Sequence, residues 1–255
     1  MRVSDGSVRT YPDGGSLHIL REFDSWHRPH VRTVRIPAPP APLVDVARIM
    51  HYCIDEMTPE RLAWLSANLG VSLESLACFR VGWHTGHQAF SFPMWNGSGK
   101  VSGVRLRKPD GSKFSVTGGR EGIFYAADWF PCSGETIYIV EGASDAVALH
   151  SIGIKSVIGR PSCSGGVSII TDLVREHRPS QCVIIADADE PGQRGAEILC
   201  HELMLLCSDC RLIKPPDGIK DVRAWVIAGA CEDDIRAAAS TSPIRQYTFK
   251  GVIRD

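Results

Sequence analysis

A chain of 255 residues with 44% hydrophobic and 22% charged residues has enough apolar material for a sizeable core, which excludes intrinsic disorder and a mini-protein scaffold. A net charge of −1 excludes a uniformly basic nucleic-acid coat protein, and no apolar run reaches the roughly 18 residues that a membrane-spanning helix needs. The charge is unevenly spread: residues 76–130 carry seven Lys and Arg against three Asp and Glu, and residues 131–255 carry thirteen against seventeen. A basic strip beside an acidic domain suits a metal-dependent enzyme that acts on polyanions.

Residues 1–28 are expected to form a hairpin around Pro12-Asp13-Gly14-Gly15. Pro29, Pro37, Pro39, Pro40 and Pro42 then mark an extended connector, which puts a boundary near residue 42. Helical patterning begins at Leu43. Thr58-Pro59-Glu60 reads as a helix start, Gly70 as its stop, and Ser72 as the cap of a second short helix. Strands are expected at Ala89–Trp95, Val101–Arg107 and 113–117, with Asn96-Gly97-Ser98-Gly99 and Asp110-Gly111 turning between them. This meander owns the basic excess through Lys100, Arg105, Arg107, Lys108, Lys113 and Arg120. Because Arg105, Arg107 and Lys113 recur on neighbouring strands, they read as a phosphate-tracking groove, with a solvated sheet face as the plain alternative.

From residue 136 strands and helices alternate. Strands are expected at 136–140, 156–158, 181–186 and 211–214, and helices at 144–152, 167–177, 192–206 and 222–227. Such alternation without hairpin turns means a doubly wound parallel sheet, with ligands at the carboxyl ends of its strands. Two of those strands end in carboxylates, the first in Glu141-Gly142 and the second in Asp187-Ala188-Asp189. In a parallel sheet these groups converge, and they cannot all stay ionised without a cation. Hard oxygen ligands of this kind suit Mg²⁺ or Mn²⁺.

Nine cysteines are scattered through the chain, with no apolar leader segment before them, which points to buried free thiols in the cytoplasm. Cys207-Ser-Asp-Cys210 is the single CxxC and lacks a second pair at zinc-ribbon spacing, so zinc is not expected. His18, His27 and His30 do not make a four-ligand site by themselves.

Ile-Val-Glu141-Gly142-Ala-Ser-Asp145-Ala together with Ile-Ala-Asp187-Ala-Asp189-Glu-Pro-Gly192 resembles the TOPRIM domain. That domain is shared by bacterial and phage primases, topoisomerases and several nucleases. Gly159-Arg160-Pro161-Ser162, the Lys214-Pro215-Pro216 segment and Lys220-Asp221 are similar to features of the primase branch, as is the stretch from Phe79 to Phe114. The implied fold is α/β, a TOPRIM doubly wound parallel sheet preceded by a smaller basic α+β subdomain. The implied division is 1–42, an N-terminal hairpin and linker; 43–132, the basic subdomain; 133–232, the TOPRIM domain; and 233–255, a C-terminal tail.

The resemblance implies a Mg²⁺-dependent nucleotidyltransferase that makes short primers on single-stranded DNA from nucleoside triphosphates. Glu141 would handle the proton of an attacking 3′-hydroxyl, Asp187 and Asp189 would hold the metal, and Asp145 would support it. Arg105, Arg107 and Lys113 would grip phosphates. Arg160, Lys220 and Asp221 complete the expected nucleotide-binding set. With no phosphate-binding GxxxxGK[ST] motif and no N-terminal zinc module, the expected protein is a phage or mobile-element catalytic core, and a separate replicative helicase or zinc-binding protein is its expected partner. A TOPRIM nuclease with the same metal edge is the alternative, and a non-catalytic binding module a third reading. A topoisomerase is set aside, since Tyr247 stands in a short tail.

Overall fold

The computed structural model describes residues 3–10, 16–21, 44–129 and 131–247, the first two stretches by their backbone alone. The expected turn at 12–15 and the Pro-rich connector lie outside the described residues. The chain divides into two compact units, Met1–Pro42 and Leu43–Asp255. In the first, β1 (Val3–Thr10) and β2 (Ser16–Arg21) pair antiparallel, with register shifts between Ser4 and Arg9.

The second unit opens with three helices, α1 (Val46–Asp55), α2 (Pro59–Leu69) and α3 (Leu73–Cys78). Thr58 and Ser72 cap α2 and α3 as their sequence predicts, and Gly70 ends α2 in the left-handed conformation. An antiparallel sheet follows in the order β3 (Gly82–His84), β4 (Ala89–Trp95), β5 (Val101–Arg107) and β6 (Lys113–Ser115). Nearly all of β4 is buried because its two faces serve different cores. Ala89 packs with Met50 of α1, Val104 and Leu106, whereas Phe90, Phe92 and Met94 enter the larger cluster shared with α2 and α3. Pro93 is tolerated inside β4 because β3 pairs only with Ala89–Ser91 and leaves that edge open.

The parallel sheet has the order β10 (Cys210–Ile213), β9 (Gln181–Ile185), β7 (Thr136–Glu141) and β8 (Val157–Arg160). Residues 137–140 and 182–185 of its central strands are apolar because both faces are covered. Tyr138, Val140, Val183 and Ile185 pack towards α4 (Ala143–Ser151), α7 (Val222–Ile227) and α8 (Glu232–Thr241). Ile137, Ile139, Cys182 and Ile184 pack towards α5 (Val167–His177) and α6 (Glu190–Leu203). The expected doubly wound α/β architecture is therefore present.

Residues 123 and 124 stitch the two sheets together. Trp95 bridges to Ile123, and Phe124 bridges to Gly159 at the edge of β8. Strand β3 was not anticipated, and two helices depart from expectation. Helix α6 begins at Glu190, two residues earlier than expected, since Pro191 sits in its first turn where a missing N–H costs nothing. Helix α8 occupies part of the expected tail. It buries Ile235 and Ala239, and Arg211 caps its last turn by donating to the carbonyls of Ala239, Ser240 and Ser242.

Candidate active site

Strands β7 and β9 are adjacent and parallel, with Ile139 opposite Ile184. Glu141 and Asp187 therefore leave the sheet at the same edge, on backbones about 4.8 Å apart. Glu141 ends β7, and Gly142 follows at φ +95°, a conformation that side chains resist, so the chain turns at once into α4. Asp189 caps α6, its Oδ1 accepting from the Gly192 amide at 2.8 Å. Gly192 leaves room for this turn, since a Cβ there would stand 2.8 Å from that of Asp187. Asp221 caps α7 in the same way, accepting from Ala224 N at 2.7 Å. Asp145, 6% exposed in the first turn of α4, accepts from Arg223 N at 3.1 Å and so ties α4 to α7. Ala188 N donates to Lys220 O at 2.8 Å, which draws the β9–α6 and β10–α7 loops together.

A cavity of about 430 Å³ opens over these groups. Glu141, Asp145, Asp187, Asp189, Lys220, Asp221 and Arg223 line it from the parallel sheet, and Arg105, Arg107, Lys113 and Phe92 line it from the antiparallel one. Arg107 and Lys113 are direct partners across β5 and β6, so they share a face. Hollows of about 560 and 620 Å³ open along α5 and between α6 and α8, but neither gathers strand-end carboxylates against a basic wall.

The carboxylates strain one another. Burial, reinforced by Asp145, Glu141, Asp221 and Asp189, pushes the Asp187 carboxyl up to about 8. Burial and Asp221 raise Asp145 to about 7, against the opposing Arg223 amide. Burial also raises Glu141, with Arg160 pulling it back and Asp189 pushing it further up. Across the cavity, crowding by protein atoms lowers Lys113 although much of its surface is open, and Arg107 adds to the effect. Asp187 Oδ1 is buried without a hydrogen-bond partner. An orphaned acceptor inside a cluster of mutually repelling carboxylates suits a hard divalent cation, which would satisfy the oxygen and lower the repulsion together.

Of the ten residues expected at the site, nine line this cavity. Arg160 is the exception, and its expected role in nucleotide binding is corrected. It is 3% exposed and donates to the carbonyls of Gly165 at 3.2 Å, Gly195 at 3.1 Å and Cys163. Its guanidinium is spent on holding the β8–α5 loop against α6, beneath Glu141 rather than in the cavity. Arg223 was missed. It lies two residues beyond Asp221, in the first turn of α7, and its Nε is buried without a partner; the neighbouring Lys220-Asp221 pair was the available signal.

Residues 138–225 match the Toprim-like family, and the chain is a TOPRIM-domain protein. A DNA primase of Clostridium acetobutylicum is 31% identical over 173 residues, which is 61% of this chain and 27% of that protein. The chain thus spans about a quarter of its relative's length. The structure of the DnaG catalytic core aligns with a TM-score of 0.63 at 17% identity, over 77% of this chain and 78% of that one. The primase fragment of the bacteriophage T7 primase-helicase protein aligns with a TM-score of 0.53 at 16% identity, over 68% and 71%. Among TOPRIM proteins, these likenesses are to those of the primase type.

Proposed function

We propose that the chain is a Mg²⁺-dependent primase core that joins nucleotides into short primers on single-stranded DNA, in the service of DNA replication. One observation carries the reading: three strand-end carboxylates and a basic wall from a separate sheet line one cavity. Asp187 and Asp189 would hold the cation, with Mn²⁺ as a substitute, and Asp145 would brace them from behind through its bond to the α7 backbone. The cation supplies charge neutralisation for the triphosphate and for the departing pyrophosphate.

The protein's own groups do the rest. Glu141, with its proton affinity raised by burial, takes the proton of the attacking 3′-hydroxyl as that oxygen bonds to the α-phosphorus and pyrophosphate leaves. Arg107 and Lys113 hold phosphates across from Glu141. Arg105, braced by its 3.1 Å bond to Ser115 Oγ, extends the same cationic track for the template. Lys220 screens the carboxylate edge from its own loop. A helicase or a zinc-binding initiation module belongs among the expected partners.

The test is primer synthesis on mixed-sequence single-stranded DNA with all NTPs and dNTPs, one of them labelled, and Mg²⁺ or Mn²⁺, beside Glu141→Gln. Short labelled oligomers that vanish in the variant are the expected result. Degraded DNA without synthesis would transfer the site to the nuclease reading, and binding without either reaction would reduce it to a recognition module.

A further inference from the structure

The opposite, amino-terminal edge of the parallel sheet carries a second cluster. Cys182 is the second residue of β9 and Cys210 the first of β10, and the two are direct partners in the sheet. Cys207 returns beside them because the chain turns sharply after α6, where its amide closes onto Leu203 O at 2.9 Å. The three sulfur atoms all lie within 4.8 Å of one another, and the residues are 0%, 4% and 0% exposed.

We propose that Cys182, Cys207 and Cys210 form a binding site for a soft, closed-shell cation of the Cu⁺ or Zn²⁺ class, independent of the carboxylate edge. A cation about 2.3 Å from each of three sulfurs sets those sulfurs about 4 Å apart, and the observed cluster is already gathered to that scale. Ordinary core packing asks only that a cysteine present a small apolar surface. Here three thiols from a strand, a second strand and a loop turn their sulfurs towards one point. The loop that carries Cys207 and leads into Cys210 is held from outside, since Asp209 accepts from Gln181 Nε2 at 3.0 Å and from Arg211 Nε at 2.8 Å.

Ligand chemistry orders the candidates. Among the described residues no other His, Cys, Asp or Glu joins the cluster. Zinc in structural sites takes four donors, whereas thiolates alone suit Cu⁺. Zn²⁺ would need an oxygen as its fourth donor, and the Pro179 carbonyl, 3.6 Å from Cys207 Sγ, is placed to supply one. Binding exchanges thiol protons for the cation and moves no electrons. Its effect would be to clip the edge strand β10 and the turn after α6 onto β9.

The test uses the full chain, reduced and stripped of metal, with the exposed Cys132 and Cys231 changed to Ser. Zn²⁺ and, under anaerobic conditions, Cu⁺ are titrated against chromophoric chelators, and Cd²⁺ reports thiolate ligation by its ultraviolet charge-transfer band. One ion per chain is expected, with Cu⁺ preferred and a Cd²⁺ band of three-thiolate intensity. Cys182→Ala, Cys207→Ala and Cys210→Ala should each weaken binding by more than the 10–100-fold typical of losing an outer-sphere partner, while Cys200→Ser retains it. Zn²⁺ held more tightly than Cu⁺ would assign the site to a four-coordinate ion completed by oxygen. No bound ion in the parent protein, or undiminished binding in the three alanine variants, would overturn the proposal. The parent titration decides the matter even where an alanine variant fails to fold.

Discussion

Removing one negative charge from the carboxylate edge should stabilise the metal-free protein, and Asp187→Asn is the sharpest form of that test. The native carboxyl titrates near 8 and the ordinary value is 3.8. The native state therefore keeps a proton that the unfolded chain gives up between about pH 4 and pH 8, and stability falls as pH rises through that window. At about 1.36 kcal/mol per pH unit the full gap corresponds to about 6 kcal/mol. Asp187 is partly open to solvent and shares its titration with Asp145 and Glu141, which reduces the expected penalty to about 1–3 kcal/mol at pH 8. The assay is thermal unfolding in chelator from pH 5 to 8, parent against variant, so that groups common to both cancel. The parent should lose about 2–4 °C more than the variant for each kcal/mol of penalty. Mg²⁺ should then raise the parent at pH 8 and leave Asp187→Asn nearly unmoved, since only the parent gains binding energy on folding. Parallel pH profiles, or an equal response to Mg²⁺, would refute the assignment of this carboxylate.

Three further outcomes are expected. Changing Arg105 and Arg107 together to Ala should weaken single-stranded DNA binding and reduce the salt slope by about 0.7 for each phosphate that is no longer neutralised; an unchanged slope in fluorescence titrations would return these arginines to a merely solvated face. Arg160→Met should remove the donors that Arg160 gives to the Cys163 and Gly165 carbonyls and cost about 2–3 kcal/mol in urea unfolding; since Arg160 also holds the Glu141 carboxyl down, the pH at which primer formation sets in should move up in the variant, and an unmoved pH profile would remove Arg160 from the surroundings of Glu141. Ile235→Ala should cost about 2–4 kcal/mol in the single cooperative transition of the Leu43–Asp255 unit; a separate low-stability transition would show α8 to be an appendage.

Much of this architecture was legible because local chemistry and tertiary environment agree. Helix Val167–His177 and strands Ala89–Trp95 and Val101–Arg107 fall where periodicity and turn residues put them. The carboxylate edge was legible for a related reason: two buried apolar runs each end in acid, and a parallel sheet leaves one place for both ends. Strand β3 escaped notice because three residues, Gly82–His84, carry no period. Helix α8 escaped because its core-facing stripe is only Ile235 and Ala239 among polar and small residues. Arg160 was misjudged because an arginine beside Pro161-Ser162 looks the same in sequence whether it meets a phosphate or three backbone carbonyls. The cysteine cluster was invisible since Cys182 joins Cys207 and Cys210 only through the pairing of β9 with β10.

The adjacency of β7 and β9 has a consequence for what this edge can become. On the proposed roles, the interval between Glu141 and the Asp187–Asp189 pair is set by main-chain pairing, a lattice constant of the sheet that no side-chain exchange can stretch. The cationic wall obeys a looser constraint, because it hangs from a different sheet, whose main chain meets the parallel one at Ile123 and Phe124 and whose Phe90, Phe92 and Met94 share its core. On that reading the backbone fixes the chemistry, and the choice of polymer falls to a separate wall. Grafting another wall onto the same edge should change which phosphate chain is gripped before it changes what is done to it.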